Sequence, residues 1–291
     1  MKTLREYLRE AKKNHHAVGH FNVSDLVALR AIGAVAAEKN TPIIIGTSEG
    51  EREFLGVNEI AALIRAMREK RGIPVFLNAD HTKSFEKIKE AVEAGYDAVL
   101  FDRGAAPLDE NIEKTKEVVS WVRAYNEKHS TDILVEGELG YIGTSSVMLD
   151  ELPVGAAVDA AQLTTVADVT RFVDETGVDL IAPAVGNIHG MLKGGNPHLD
   201  THRIKELVGA TEAGVVLHGA SGLSDEQVRI SVEAGVRIVH VNTELRAAWR
   251  HGFDLALVSH PNELVPYKIL PEAVEEVKKV VERKVKLFYG G

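Results

Sequence analysis

The 291-residue chain contains no cysteine, which removes disulfides, thiolate metal sites, iron–sulfur clusters and thiol nucleophiles together. Any transition metal must therefore bind through His, Asp or Glu. No apolar run approaches the roughly 20 residues that span a bilayer. The opening MKTLREYLREAKKN has neither the apolar stretch nor the small-residue cleavage site of an export signal. A soluble, cytoplasmic protein with no membrane partner is expected. Positive charge is also scarce: 34 Lys and Arg against 43 Asp and Glu give a net charge of −9. That balance argues against a nucleic-acid partner while leaving room for a local cationic pocket. Low-complexity linkers and abrupt composition shifts are missing as well, so one domain over residues 1–291 is expected, a size suited to a single α/β barrel of about 250 residues or more.

Eight short, β-branched segments are expected as strands: His16 to Asn22, Pro42 to Ser48, Pro74 to Asp80, Ala98 to Asp102, Ile133 to Leu139, Asp179 to Val185, Val215 to Ala220 and Ile238 to Asn242. Between them run amphipathic stretches such as SDLVALRAIGAVAAEKN and SFEKIKEAVEAGYD, with apolar residues at three- and four-residue spacing. Ser24, Ser84 and Ser224 precede such stretches as candidate N-caps. Consecutive βα units with near-continuous apolar strands predict a parallel sheet closed into a (β/α)₈ TIM barrel. A doubly wound open sheet would normally carry a glycine-rich turn after its first strand, and FNVSDL has none. Residues 140–161 are too long for an ordinary connection and predict a lid. Residues 188–198 form a second, glycine-rich excursion, and Pro271 to Phe288 predicts an extra C-terminal helix.

Barrel active sites lie at the C-terminal ends of the strands, so polar residues ending different strands should converge. Those ends carry Asn22, Ser48, Asp80 with His81, Asp102, Glu136 and Glu138, His189, His218, and His240 with Asn242. Singly, each has an ordinary explanation as a helix cap, a surface ion pair or a hydrogen-bonded wall residue. Jointly, His81, His189 and His218 are costly to gather with several carboxylates unless a cation sits among them. Three imidazoles leave a coordination position open on zinc, the arrangement of a catalytic site. Asp80, next to His81, is a candidate acid/base. HGASG at 218–222, with Gly219 and Ser221, and Asn242-Thr243 at the start of a helix suit a phosphate after strands seven and eight. Lys193 and Arg246 are candidates for added positive charge there.

The segments FNVSDL at 21–26, SEG at 48–50, ADH at 79–81, PLDENIEKTKEVV at 107–119, VEGELG at 135–140, GNIHG at 186–190, LHGASG at 217–222 and NTELRAAW at 242–249 together resemble the class II, metal-dependent fructose-bisphosphate and tagatose-bisphosphate aldolases. The resemblance covers essentially the whole chain. It implies a lyase, glycolytic if the substrate is fructose 1,6-bisphosphate, that splits a ketose bisphosphate into dihydroxyacetone phosphate and glyceraldehyde 3-phosphate, commonly as a homodimer or a larger assembly such as a homotetramer. It assigns Asp80 to the proton of the hydroxyl whose carbon–carbon bond breaks. His81, His189 and His218 match the ligands of Zn²⁺ or another divalent metal, and Asp102 and Glu138 match carboxylates at the metal's resting position. Gly190, Gly219, Ser221, Asn242 and Thr243, with Lys193, match positions around the substrate phosphate and a bound Na⁺ or K⁺. Asn22 and Ser48 are expected among the substrate contacts.

Three places depart from that family's pattern. Strand eight ends His240-Val-Asn242-Thr243 where the family reads Asn-x-Asp-Thr. The lid glutamate that takes a proton from dihydroxyacetone phosphate is Ser146 here, with Asp150 and Glu151 expected to stand in. Ala79 precedes Asp80 where leucine is usual. These differences leave a tagatose bisphosphate or another sugar phosphate open as substrate, and a non-catalytic sugar-phosphate-binding barrel as a further alternative. A Schiff-base aldolase would need a desolvated lysine at a strand end, and the eight ends offer none.

Overall fold

A computed structural model describes residues 2–290. Eight parallel strands close into a barrel: β1 (Val18–Asn22), β2 (Ile43–Thr47), β3 (Val75–Thr82), β4 (Ala98–Phe101), β5 (Leu134–Leu139), β6 (Leu180–Pro183), β7 (Gly214–Leu217) and β8 (Ile238–Val241). Each pairs with its neighbours in sequence, and β8 pairs with β1. Facing residues include His20 opposite His240 and Leu100 opposite Glu136.

Strand alternation explains what fills the barrel. The outward positions, among them Phe21, Ile45, Leu77, Val99, Val135, Ile181, Val215 and Val239, lie in one apolar cluster with the surrounding helices. The inward positions change character along each strand. At the bottom stand Val18, Ile44, Phe76, Ala98, Leu134, Leu180, Val216 and Ile238, which pack with Leu4, Leu8 and Ala11 of the N-terminal helix Leu4–Asn14. Sequence reasoning did not resolve that helix. It plugs the lower mouth and starts with a capping box between Thr3 and Glu6. Two residues further up, five strands present His20, Asn78, Glu136, His218 and His240, all buried, while Gly46, Leu100 and Ala182 take the other three positions. Two further still come Asn22, Asp80, Asp102, Glu138 and Asn242. The period-two pattern thus stacks an apolar floor, a polar middle layer and an open polar mouth.

Helix Pro271–Phe288 closes the structure against β1, and helix Thr243–Ser259 packs on it. Gly252 lets helix Thr243–Ser259 approach helix Pro271–Phe288, since a Cβ there would sit 2.6 Å from the Ala273 Cα. The second of these is the predicted C-terminal helix, burying Ala273, Val277, Val281 and Phe288. Helix Leu26–Lys39 is capped by Asp25 rather than by Ser24. The Asp25 carboxylate accepts from the Ala28 amide at 2.9 Å and from Trp249 Nε1 at 2.7 Å, a bond that an acceptor one residue earlier does not supply. Ser84 and Ser224 cap their helices as expected.

The two excursions meet each other. Met148–Leu149 and Met191–Leu192 form a small parallel sheet over the mouth. Gly190 permits that packing: it has φ +95°, and a Cβ would lie 2.9 Å from the carbonyl oxygens of Ser145 and Val147.

Candidate active site

Asp80 and His81 are consecutive, and consecutive strand residues face opposite sides of a sheet. A bulge resolves the conflict. The β3–β4 register shifts between Ala79 and Thr82, and His81 takes the left-handed conformation with φ 41°. A non-glycine residue held there costs about 1–3 kcal/mol. The backbone break turns the His81 ring into the barrel beside Asp80, with Nε2 3.8 Å from the Asp80 Oδ1.

Ligand atoms of His81, His189 and His218 lie within 4.8 Å of one another. Their rings are steeply inclined, by 76° between His81 and His189, 84° between His81 and His218, and 80° between His189 and His218. Lone pairs in such planes can meet at one point. Buried Nε2 of His81, Nε2 of His189 and Nδ1 of His218 have no hydrogen-bond partner, which is expensive unless something accepts their electrons. The other nitrogens are held: His81 Nδ1 lies 3.0 Å from Asp102 Oδ2 and 3.5 Å from Glu138 Oε2, and His218 Nε2 lies 2.8 Å from Glu136 Oε1. Carboxylates behind imidazoles fix ring orientation in metal sites. His81, Asp102 and Glu138 form an adjoining second set of donors.

Two further groupings, His20 with Asp80 and His240, and Glu136 with His218 and His240, are also close enough to be considered. Their rings argue against a shared ion. His20 and His240 are parallel to within 1° at 3.5 Å, and His240 and His218 lie at 20° and 4.0 Å. Parallel rings direct their in-plane lone pairs past a common point. This stack instead braces His218 from the side, within one layer of the barrel, and Gly46 makes room for it, because a Cβ there would fall 2.1 Å from the His20 ring.

Electrostatics favour a cation at the mouth. Burial raises the Glu136 carboxyl to about 8 and, with Asp102 nearby, lifts Glu138 well above the usual carboxylate range. Burial also lowers His189 well below its usual value and His218 to about 3, so both are neutral donors at neutral pH. For His81, burial opposes the charge, but Asp80, Asp102 and Glu138 outweigh it and raise the group to about 10. The field that holds a proton on His81 would equally attract a metal ion. At Asp80, burial is overcome by the imidazoles of His81, His20 and His218 and by Asn22, leaving the carboxylate ionised. Asn22 Nδ2 donates to Asp80 Oδ2 and to Glu51 Oε2, each at 2.9 Å.

One pocket opens over this cluster. Asn22, Ser48, Asp80, His81, Asp102 and His189 line it, as do Gly190, Gly219, Ser221, Asn242 and Thr243. The Ser221 Oγ accepts from the Asn242 and Glu244 amides at 3.3 Å, tying the β7 loop to the start of helix Thr243–Ser259. Glu138 and His218 lie just beneath. The structure does not bring Asp150, Glu151 or Lys193 to the pocket: Lys193 Nζ pairs with Asp150 Oδ1 at 2.6 Å on the exposed lid, and Glu151 is exposed. Thr144 and Ser146 are the lid residues that reach the wall. Sequence reasoning listed Glu136 only as a strand-end group, listed His240 as that and as a departure from the family's pattern, and missed Glu51 and His20. The alternation in VEGEL, two glutamates two apart, was the available signal for Glu136; Glu51 sits on helix Glu49–Leu55, where no strand rule applies.

A family described as class II fructose-bisphosphate aldolase matches residues 2–290. The 6-phospho-5-dehydro-2-deoxy-D-gluconate aldolase of Shouchella clausii is 35% identical over 284 residues, covering 97% of this chain and 92% of the relative. The fructose-bisphosphate aldolase of Geobacillus stearothermophilus is 32% identical over 289 residues, covering 98% and 96%. Among solved structures, the YdjI aldolase from Escherichia coli K12 superposes with a TM-score of 0.81 at 27% identity, covering 98% of this chain and 96% of that one.

Proposed function

The chain belongs to the class II fructose-bisphosphate aldolase family, and from that premise we propose that it is a metal-dependent lyase that cleaves a ketose phosphate to dihydroxyacetone phosphate and an aldehyde. Fructose 1,6-bisphosphate is the first substrate to assign, with glyceraldehyde 3-phosphate as the aldehyde product. The observation that carries this reading is the convergence of three unpartnered imidazole nitrogens, on His81, His189 and His218, beside the Asp80 carboxylate.

Those donors suit zinc or a similar divalent ion, and a cysteine-free chain offers no thiolate. A divalent ion held there supplies Lewis-acid polarisation of a substrate carbonyl. Asp102 and Glu138, with the far side of His81, are assigned a resting place for the same ion. The other work falls to the chain. Asp80, ionised and steadied by Asn22, accepts the proton of the hydroxyl on the carbon whose bond breaks. Gly190, Gly219, Ser221, Asn242 and Thr243 bind the phosphate of the dihydroxyacetone fragment at a helix N-terminus, with a Na⁺ or K⁺ ion at that end; Lys193 adds charge there only when lid movement takes it from Asp150 to the pocket. Asn22 and Ser48 contact the sugar. In the condensation direction, removal of a proton from dihydroxyacetone phosphate is assigned to Asp150 or Glu151, which lid movement must carry inward.

A second reading is favoured by the relatives named for 6-phospho-5-dehydro-2-deoxy-D-gluconate, which are 33% and 35% identical to this chain. His240 and Asn242 at the end of β8 motivate tagatose bisphosphate as a third candidate. A coupled assay for dihydroxyacetone phosphate, run on all three compounds with metal-loaded protein, ranks them. Cleavage of none would exclude these three and leave another sugar phosphate or the non-catalytic sugar-phosphate-binding barrel. Val258, Leu264 and Tyr267 are large, exposed apolar side chains that support self-association as a homodimer or homotetramer, measurable by light scattering. A cytoplasmic location accords with substrates that do not cross membranes unaided, and no described helix is long and apolar enough to span one.

A further inference from the structure

The lower face of the barrel, at the N-terminal ends of the strands, holds a second group of cations. Arg237 is the residue before β8. Its amide donates to the Val215 carbonyl at 2.8 Å and its carbonyl accepts from the Val18 amide at 2.9 Å, which fixes its backbone beside the apolar floor. Ile238 faces inward with that floor, so Arg237 faces out of the barrel. Its side chain runs between two glycines. A Cβ on Gly214 would lie 3.5 Å from Arg237 Cγ, and one on Gly235 would lie 3.6 Å from Nη2. The guanidinium thus borders a cavity of about 240 Å³ that Arg5, Arg9 and Lys12 of helix Leu4–Asn14 also line.

Nothing in the chain compensates this charge. Arg237 is 8% exposed, and its Nη1 is buried with no hydrogen-bond partner. Burial lowers the group below the usual arginine range, and no neighbouring acid raises it. The two carboxylates in the cavity wall are engaged elsewhere. Asp179 accepts from Arg5 Nη1 at 2.7 Å, from Arg123 Nη2 at 2.8 Å and from the Val135 amide at 2.9 Å. Glu212 pairs with Lys12 at 3.0 Å out in solvent. Helices Thr201–Ala210 and Asp225–Ala234 end at this face, and their C-terminal partial charge favours a cation, but no carbonyl accepts from Nη1. Among the described residues lining the cavity, four cations face two carboxylates, in a chain whose net charge is −9. A buried charge without a partner is costly, and a bound counter-ion removes that cost.

We propose that this cavity is a binding site for a phosphate group, with Arg237 as its anchor and Arg9 as its outer arm, at the end of the barrel opposite the metal centre. The planar guanidinium fork, with five N–H donors, matches a phosphate through two parallel bonds. Arg9 is exposed on the helix that plugs the lower mouth and adds charge from the solvent side. The ligand is inorganic phosphate or the phosphate monoester of a small metabolite. The site stands independently of the aldolase reading, and a chain that cleaved no sugar phosphate would still hold it.

The test is calorimetric titration of wild type, Arg237→Gln, Arg237→Lys and Arg9→Gln with inorganic phosphate and with glycerol 3-phosphate, at fixed ionic strength. A phosphate taken up at the upper mouth is common to all four proteins, so the comparison isolates the lower site. Arg237→Gln should lose one bound phosphate per chain or hold it about 10- to 100-fold more weakly, the range for losing hydrogen bonds to a charged group. Arg237→Lys, which keeps the charge and loses the fork, should fall between the two. Arg9→Gln changes only an exposed side chain and should weaken the site about two- to fivefold, which keeps the test open if Arg237→Gln does not fold. Phosphate should also raise the melting temperature of wild type more than that of Arg237→Gln. Tighter binding of glycerol 3-phosphate than of phosphate assigns the site to a phosphorylated metabolite, and equal binding assigns it to the free ion. Full phosphate affinity and stoichiometry in both glutamine variants overturns the proposal. Displacement of the phosphate by an equal concentration of chloride overturns it too, because the cavity would then hold an adventitious ion only.

Discussion

Replacing Glu136 with alanine isolates the support beneath the metal centre. Glu136 is 1% exposed and faces His218 Nε2 at 2.8 Å, while His218 Nδ1 has no partner. Burial raises the Glu136 carboxyl to about 8, so it is largely neutral near neutral pH; if its carbonyl oxygen accepts the Nε2–H of that ring, it keeps the Nδ1 lone pair available. The alanine variant loses this control and leaves a buried N–H unpaired, a cost of about 1–3 kcal/mol. The ring stays in place, because His240 stacks on it at 4.0 Å and His20 stacks on His240 at 3.5 Å. Loss of the outer partner of a ligating histidine typically costs about 10–100-fold in metal affinity, or about 1.4–2.8 kcal/mol. Glu136→Gln retains a carbonyl acceptor and should lose less than about tenfold. Competition against a chromogenic chelator near neutral pH measures both values, and the rise in melting temperature on adding zinc should shrink in the same order. An alanine variant that holds zinc within about threefold of wild type, or a glutamine variant as weak as alanine, would refute the assignment of Glu136 to the tautomer of His218.

Asp80→Asn keeps the shape and the hydrogen bond to Asn22, so it should melt close to wild type and retain metal while kcat falls about 10²–10⁴-fold; turnover within tenfold of wild type would move the proton to another group. Gly219 has φ +62°, and a Cβ there would lie 2.1 Å from the Ile188 carbonyl oxygen. Gly219→Ala should therefore cost about 1–3 kcal/mol in stability and raise KM by displacing the phosphate loop, as read by thermal unfolding and steady-state kinetics; a variant matching wild type in both would show that the loop tolerates the shift. The Asp150–Lys193 pair is exposed on both sides, so Lys193→Ala should change stability by less than about 1 kcal/mol. Joint substitution of Asp150 and Glu151 by alanine should lower the rate of hydrogen exchange from dihydroxyacetone phosphate into solvent by about 10² or more. An unchanged exchange rate would exclude both as the lid base.

Much of the barrel was readable because its rules are local. A strand such as VEGEL declares its period, and repeated βα units leave few topologies; the eight expected segments contain or overlap β1 to β8. The period-two rule also explains why polar residues gather at the upper ends. Most of what escaped depends on distant partners or on a backbone choice. The helix in LREYLREAKKN did have a local signal, the Thr3–Glu6 capping box with Leu4 and Leu8 four apart, which a reading centred on strands passed over; only the strand residues that cover Leu4 and Leu8 come from across the chain. The pairing of Met148–Leu149 with Met191–Leu192 joins loops some forty residues apart. Strand alternation alone would have set Asp80 and His81 on opposite faces, and no glycine marks the bulge that reunites them. His20 and His240 each appear in a strand segment, but their parallel stack arises from register, β1 against β8. The lid carboxylates were chosen by proximity in sequence, and the lid folds so that Thr144 and Ser146 face inward while Asp150 turns to Lys193.

The central claim is that His81, His189 and His218 hold a divalent ion required for aldol cleavage. Its most direct measurement is release of dihydroxyacetone phosphate from fructose 1,6-bisphosphate and from 6-phospho-5-dehydro-2-deoxy-D-gluconate, by the same protein as purified, after chelation and after zinc is restored. The account predicts cleavage of at least one of them that disappears with the metal, returns with it, and does not return in His189→Ala. Cleavage that survives complete removal of bound metal would contradict it.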